Sequence, residues 1–247
     1  MSPALARLLE SAFDTAAPAA GSPYGRCWLQ NAASLTGSKS IPVIAVGAAA
    51  ASREDWEADR AQDAERLNQF FKAGNLVEGY EVSLPPGSSV EDNRRQLDEL
   101  RGFSEVEVIV QVTQVELLEG LEERDYIAAL PVADPLILAE LVVECLALET
   151  AFVFRGGGSS AFSSGSTGFL NLLAGTAIGF AENLNARELA RVFSAADGWT
   201  FSESHISFER YQVHLPEIIE SRFLALATDG VSAAEIPAKL KEAGLNL

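Results

Sequence analysis

The chain has 247 residues, and a hydrophobic fraction of 48% with modest glycine and proline content marks a globular protein rather than a disordered one. Eighteen Lys and Arg against 35 Asp and Glu give a formal charge of −17, which disfavours nucleic acid and anionic membranes as partners while still allowing a local positive pocket. No apolar run approaches the ~18–20 residues of a membrane span, and the first 21 residues lack the basic region and long apolar core of a signal peptide, so a cytoplasmic protein without a membrane partner is expected.

In chain order, residues 3–15 read as an amphipathic helix and 16–24 as a loop. "RCWL" starts a short strand and "IPVIAVG" at 41–47 a clearer one. A helix follows, with Ser52 as N-cap, Glu54 and Asp55 at its positive end and Gly74 at its exit. The strand "EGYEVSL", the turn "PPGSS", the helix "VEDNRRQLDELRGF" and the strand "EVEVIVQV" come next. A short helix in "QVELLEGLEE" leads to the strand "DYIAALP". Asp134 caps a helix with Pro135 in its first turn, and "TAFVFR" is another strand. Helices are expected from Gly168 and over "NARELARVFSAAD", with a final helical pair at 215–227 and 232–243, the last capped by Ser232 and Glu235.

Recurrent strand–helix alternation without a linker predicts one α/β domain over 1–247 with a parallel sheet. The length fits a TIM-barrel-like parallel barrel of ~250 residues; the alternative is an open parallel sheet. Cys27 and Cys145 read as reduced core residues, a disulfide being the alternative, and are too few for a metal cluster. His205 and His214, nine residues apart, make no zinc motif, so no metal is expected.

Strand alternation selects candidate site residues. In "EVEVIVQV", Val106, Val108, Val110 and Val112 share one face, leaving Gln111 on the other. Glu81 and Ser83 likewise oppose Tyr80, Val82 and Leu84, while Arg155 opposes Phe152 and Phe154. If the apolar faces meet helices, Glu81, Ser83, Gln111 and Arg155 gather at one carboxyl-end mouth, where parallel α/β proteins assemble ligand sites. Solvated edge strands would show the same alternation.

After Arg155 come Gly156, Gly157 and Gly158, which tolerate conformations costly for other residues and can turn N–H groups toward an anion. Serines follow, then a helix whose positive end adds to the site. Arg155 and Gly156–Gly158, with Ser83, Gln111 and Asn171 as orienting groups, thus form a candidate site for a small phosphorylated or carboxylated metabolite. The tract matches neither the Walker nor the dinucleotide pattern, no cofactor is indicated, and a flexible Gly/Ser lid has the same composition. Glu81 is the candidate acid or base of a lyase or isomerase. The alternative is a non-catalytic ligand-binding or assembly protein, with a homo-oligomer among its forms.

At Arg155–Gly157 followed by Gly168, Phe169, Leu170 and Asn171, the chain resembles a bacterial family of uncharacterised, barrel-like proteins. Members pair a strand ending in arginine and glycines with a later "HGFLN" segment. "LLESAFDTAAPAAG", "IPVIAV" and "YEVSLP" are also compatible with it. The resemblance implies a barrel. Thr167 stands where the family has histidine, and a Ser/Gly tract fills the interval before it, implying that any activity resting on those histidines is lost or changed.

Overall fold

The computed structural model describes residues 2–9, 12–15, 25–36, 42–158, 160–163, 167–214, 223–228 and 234–245. Helix α1 (Pro3–Leu9) leads into the three-residue strand β1 (Phe13–Thr15) and then β2 (Gly25–Asn31). The predicted helix over 3–15 is therefore shorter, because its last turn is strand, and the loop expected at 16–24 lies outside the described residues. Strand β3 (Val43–Val46) precedes α2 (Arg53–Lys72), whose first turn is closed by Ser52 accepting from the Asp55 N–H. Strand β4 (Val77–Ser83) and α3 (Val90–Glu99) follow, with Ser89 capping in the same way. Next come β5 (Glu107–Gln111), α4 (Leu118–Glu122), β6 (Ile127–Pro131) and α5 (Pro135–Ala147). Asp134 caps α5 by accepting from Leu136 and Ile137, and Pro135 occupies the first turn, where it forfeits no helical bond.

Strand β7 (Phe152–Arg155) is followed by two helices, α6 (Phe169–Ala181) and α7 (Ala186–Phe193), the latter opened by a capping box of Asn185 and Glu188. Three short strands, β8 (Trp199–Phe201), β9 (His205–Phe208) and β10 (Tyr211–His214), form a separate antiparallel sheet. The chain then returns to the main sheet as β11 (Phe223–Thr228) and ends in α8 (Ile236–Glu242). The helix expected at 215–227 is corrected: its second half is the strand β11, and residues 215–222 lie outside the described set. Glu235 precedes α8 without a side-chain capping bond, and the expected cap Ser232 is also outside the described set.

The main sheet is parallel, with order β1-β11-β7-β6-β5-β4-β3-β2. It is curled but open, a half-barrel whose edges stand 11 Å apart. Strand β1 provides the bridging pairs: Phe13, Asp14 and Thr15 pair with Leu226, Ala227 and Thr228, and Phe13 and Thr15 pair with Gly25 and Trp28 across a register shift. Among the described residues only these three link the two edges, too few to close the sheet as a full strand would. The TIM-type barrel expected from alternation and length is thereby corrected to a curled open sheet. The physical reason lies in the connections. Among the described residues only a 3-10 turn, Ala32–Ser34, stands between β2 and β3, and two helices plus a second sheet intervene between β7 and β11, so the eightfold strand–helix unit is not repeated.

Both faces of the sheet are apolar along most of its length. Cys27, Ile44, Ile109, Ile127, Ala129 and Val153 fill the concave side. Tyr80, Val82, Val108, Val110, Val112, Phe152 and Phe154 join the larger cluster containing helix residues such as Trp56, Leu97, Leu138 and Leu173. The predicted valine face of β5 therefore does meet helices. Under α2, the buried Arg60 donates to Asp63, which also accepts from the Tyr80 hydroxyl at 2.7 Å. Burial holds the Tyr80 phenol well above its ordinary range, with Arg60 pulling the other way and the Asp63 bond adding to the rise. Cys27 and Cys145 are both buried and not joined in a disulfide, and burial pushes the Cys145 thiol up, aided by Glu144. Among the described residues no helix is long and apolar enough to cross a membrane.

Candidate functional site

The pleat determines which side chains leave the apolar layers. Because Tyr80 and Val82 face the helices, Glu81 and Ser83 of β4 turn to the concave side. The same alternation turns Gln111, the last residue of β5, and Arg155, the last of β7, inward. Register then sets their heights: Ser83 pairs with Gln111, while Glu81 sits one layer lower beside Ile109.

These four residues form one hydrogen-bonded chain. The Ser83 hydroxyl donates to Gln111 Oε1 at 2.5 Å, and Gln111 Nε2 donates to Glu81 Oε1 at 3.0 Å. The other carboxylate oxygen, Oε2, is ion-paired with the Arg155 guanidinium. Glu81 is 1% exposed and the Arg155 side chain 14%, so the pair lies at the bottom of the strand ends, with only the arginine reaching toward solvent. The Gln111 amide orientation follows from its neighbours, since a carboxylate accepts only and the amide nitrogen must face it. The resulting group is nearly neutral overall, with the arginine's charge countered from below.

The glycine tract has the conformation its composition predicts. Gly156, Gly157 and Gly158 have φ of 77°, 68° and 69°, the left-handed region that glycine enters without a Cβ penalty. Gly157 is also sterically required, because a Cβ there would stand 2.5 Å from a Val132 methyl. The tract does not lead to an open helix terminus. The N–H groups of Phe169 and Leu170 donate to the carbonyls of Ser160 and Ala161, and Gly168 N–H points at Ser163 Oγ at 3.3 Å. The chain itself therefore occupies those positions at the start of α6. Gly158 N–H donates to the Thr167 carbonyl. Ser160 and Ser163 spend their hydroxyls on the carbonyls of Phe162 and Phe193; Ser159 and Ser164 lie outside the described residues.

Asn171 sits apart from the four-residue chain. It is fully buried, its Nδ2 donating to the carbonyls of Val192 and Ala195 at 3.0 and 2.7 Å while Oδ1 accepts from Ser163 N–H. Its amide thus ties the loop, the start of α6 and the end of α7 together. Gly168 is needed here too, since a Cβ would lie 2.4 Å from the Phe162 backbone. The Gly-Phe-Leu-Asn segment has a structural explanation: close approach, two buried apolar side chains and an amide clasp. Thr167 beside it is buried, and its hydroxyl has no hydrogen-bond partner among the described residues.

His205 and His214 face each other across β9 and β10 on the second sheet, where His205 Nδ1 meets the Ser202 hydroxyl at 2.9 Å. Among the described residues no group of three or more His, Cys, Asp or Glu stands where it could hold a metal ion.

Beside the four-residue chain, a recess of about 160 Å³ opens at the ends of β4 and β5. Ser83 and Gln111 form its inner wall, the Pro85–Ser88 turn its rim and Asn93 of α3 its side. Sequence reading missed Asn93, because an amide within "VEDNRRQLDEL" resembles a solvated helix residue. The retrievable signal was its three-residue spacing from Gln96, which places two amides on the helix face that buries Leu97 and Leu100.

The class these features define is an α/β protein with a curled parallel sheet and a polar cluster at its strand carboxyl ends. Comparison with protein-family models, curated proteins and solved structures finds no match to this chain.

Proposed function

We propose that the protein binds a small carboxylated or phosphorylated metabolite at the carboxyl ends of β4, β5 and β7. The supporting observation is the buried Glu81–Arg155 pair, tied to Gln111 and Ser83. Burying two charges costs several kcal/mol per ion before their attraction is counted, and apolar residues of similar volume usually serve stability as well or better. A pair kept at this end of a parallel sheet is where ligand chemistry is expected. The ligand's anionic group accepts from Arg155, and a hydroxyl or amine on it donates to Glu81. In the catalytic version Glu81 takes a proton from the bound metabolite, as a lyase or isomerase requires, while Gln111 fixes the carboxylate's orientation. Gly156–Gly158 shape the approach to Arg155.

A second reading, ligand binding without turnover, is favoured by the partners of Glu81, since both its oxygens already accept a bond. One experiment tests the shared claim and separates the versions. A metabolite library is screened by thermal shift against the wild type and Arg155→Ala, and hits are assayed for turnover with Glu81→Gln. The binding reading requires hits that Arg155→Ala abolishes; hits that persist in that variant place the site elsewhere. The catalytic version requires turnover that Glu81→Gln removes while affinity stays within a few-fold.

A further inference from the structure

Helix α3 has an anomaly on its inner face. Asn93 and Gln96, one turn apart, are 7% and 1% exposed, at positions where a helix packed on a sheet ordinarily carries apolar residues. Buried polar groups are nearly always hydrogen-bonded. Yet Gln96 Oε1 is buried without a partner among the described residues, and the Asn93 amide beside it opens onto a recess. Asn93 lines the recess at the ends of β4 and β5, together with Ser83, Gln111, Thr113 and Gln114. None of the residues lining that recess carries a charge, in a chain where 21% of residues do. Its polar groups are hydroxyls and primary amides, which both donate and accept, and the groups that satisfy them best are hydroxyls, which do the same. At ~30 Å³ per water, the space corresponds to about five water molecules, enough for two or three hydroxymethyl units.

The recess shares a wall with the charged pair. Ser83 and Gln111 line it and are the first two links of the chain that ends at Glu81 and Arg155. We infer that one ligand spans both: its acid group lies at Arg155 and its hydroxylated tail in the recess, so the ligand class is a short polyhydroxylated acid. This inference rests on the binding reading above and adds the chemistry of the tail. Asn93 and Thr113 are specificity-determining residues for that tail.

The test compares aldonates of four to six carbons with the fatty acids of equal length, titrated calorimetrically into the full chain. At least one aldonate is expected to bind ten-fold or more tightly than its fatty-acid counterpart. Asn93→Leu and Thr113→Val should each weaken the aldonate about ten-fold and leave the fatty acid unchanged, and Arg155→Ala should abolish both. Thr113 is exposed, so its variant reports even if Asn93→Leu fails to fold. Equal binding of aldonates and fatty acids, lost in Arg155→Ala but indifferent to Thr113→Val, overturns the tail assignment and leaves the acid site standing. Aldonate binding that survives Arg155→Ala overturns the acid site and with it the spanning ligand. Recess density in an aldonate-soaked crystal that shows water alone also overturns the inference.

Discussion

Glu81 and Arg155 invite a stability measurement that their proposed role makes informative. Removing one partner leaves the other charge buried, so Glu81→Ala should destabilise the fold by about 3–5 kcal/mol in urea unfolding. Replacing both, as in Glu81→Met with Arg155→Met, should restore stability to within about 1 kcal/mol of the wild type or exceed it. A double variant as unstable as the single one would make the pair a structural necessity and remove the main support for a ligand role. Asn171 gives the opposite expectation. Its amide serves two carbonyls and one N–H inside the protein, so Asn171→Ala should cost about 2–4 kcal/mol by thermal or urea unfolding. The same substitution should leave the affinity of any Arg155-dependent ligand within two-fold. At this scale the sequence was informative where a strand alternated cleanly: Tyr80 and Val82 against Glu81 and Ser83, and the valines of β5 against Gln111. It was misleading at Asn171, because an asparagine opening a helix has the same appearance whether it meets a ligand or ties down two loops.

Among the elements, the connection from β7 to α6 separates two uses of glycine. Gly156 and Gly157 share a positive φ, but only at Gly157 would a Cβ strike Val132. Gly156→Ala should therefore cost about 1–2 kcal/mol, the left-handed penalty alone. Gly157→Ala adds overpacking and should cost about 2–4 kcal/mol, partly recovered by Val132→Ala. Equal costs in denaturant titrations would refute the steric assignment. Several elements were hidden for physical reasons. Strand β1 is too short to show a period and was absorbed into the preceding amphipathic segment. In "FLALAT" the apolar residues fit a helical face and a strand equally well, and only pairing with Phe152–Arg155 decides for strand. Helix ends were easier to read, since Ser52, Ser89, Asp134 and Asn185 use local chemistry that needs no tertiary contact.

Across the whole molecule, parallel alternation was legible and the openness of the curled sheet was not. Closure depends on which strands meet at the seam, and residues far apart in the chain decide that. With three pairs on one side and two on the other, β1 has little cooperative support. Hydrogen–deuterium exchange should therefore find the Phe13–Thr15 amides exchanging at least a hundred-fold faster than those of Val108–Val110 at the sheet centre. Equal protection would show that the seam is as firmly held as the middle.

The seam also bears on how the protein is made. Strands β2 to β7 are neighbours in the sheet in the order in which they leave the ribosome, and each can add to the last as it emerges. The exception is β7, whose outer partner β11 is synthesised only after two helices and a second sheet. During that interval β7 presents an unsatisfied edge of backbone donors and acceptors, the kind of surface that recruits a strand from another chain. Nascent chains stalled before Phe223 should thus be the form most dependent on chaperones.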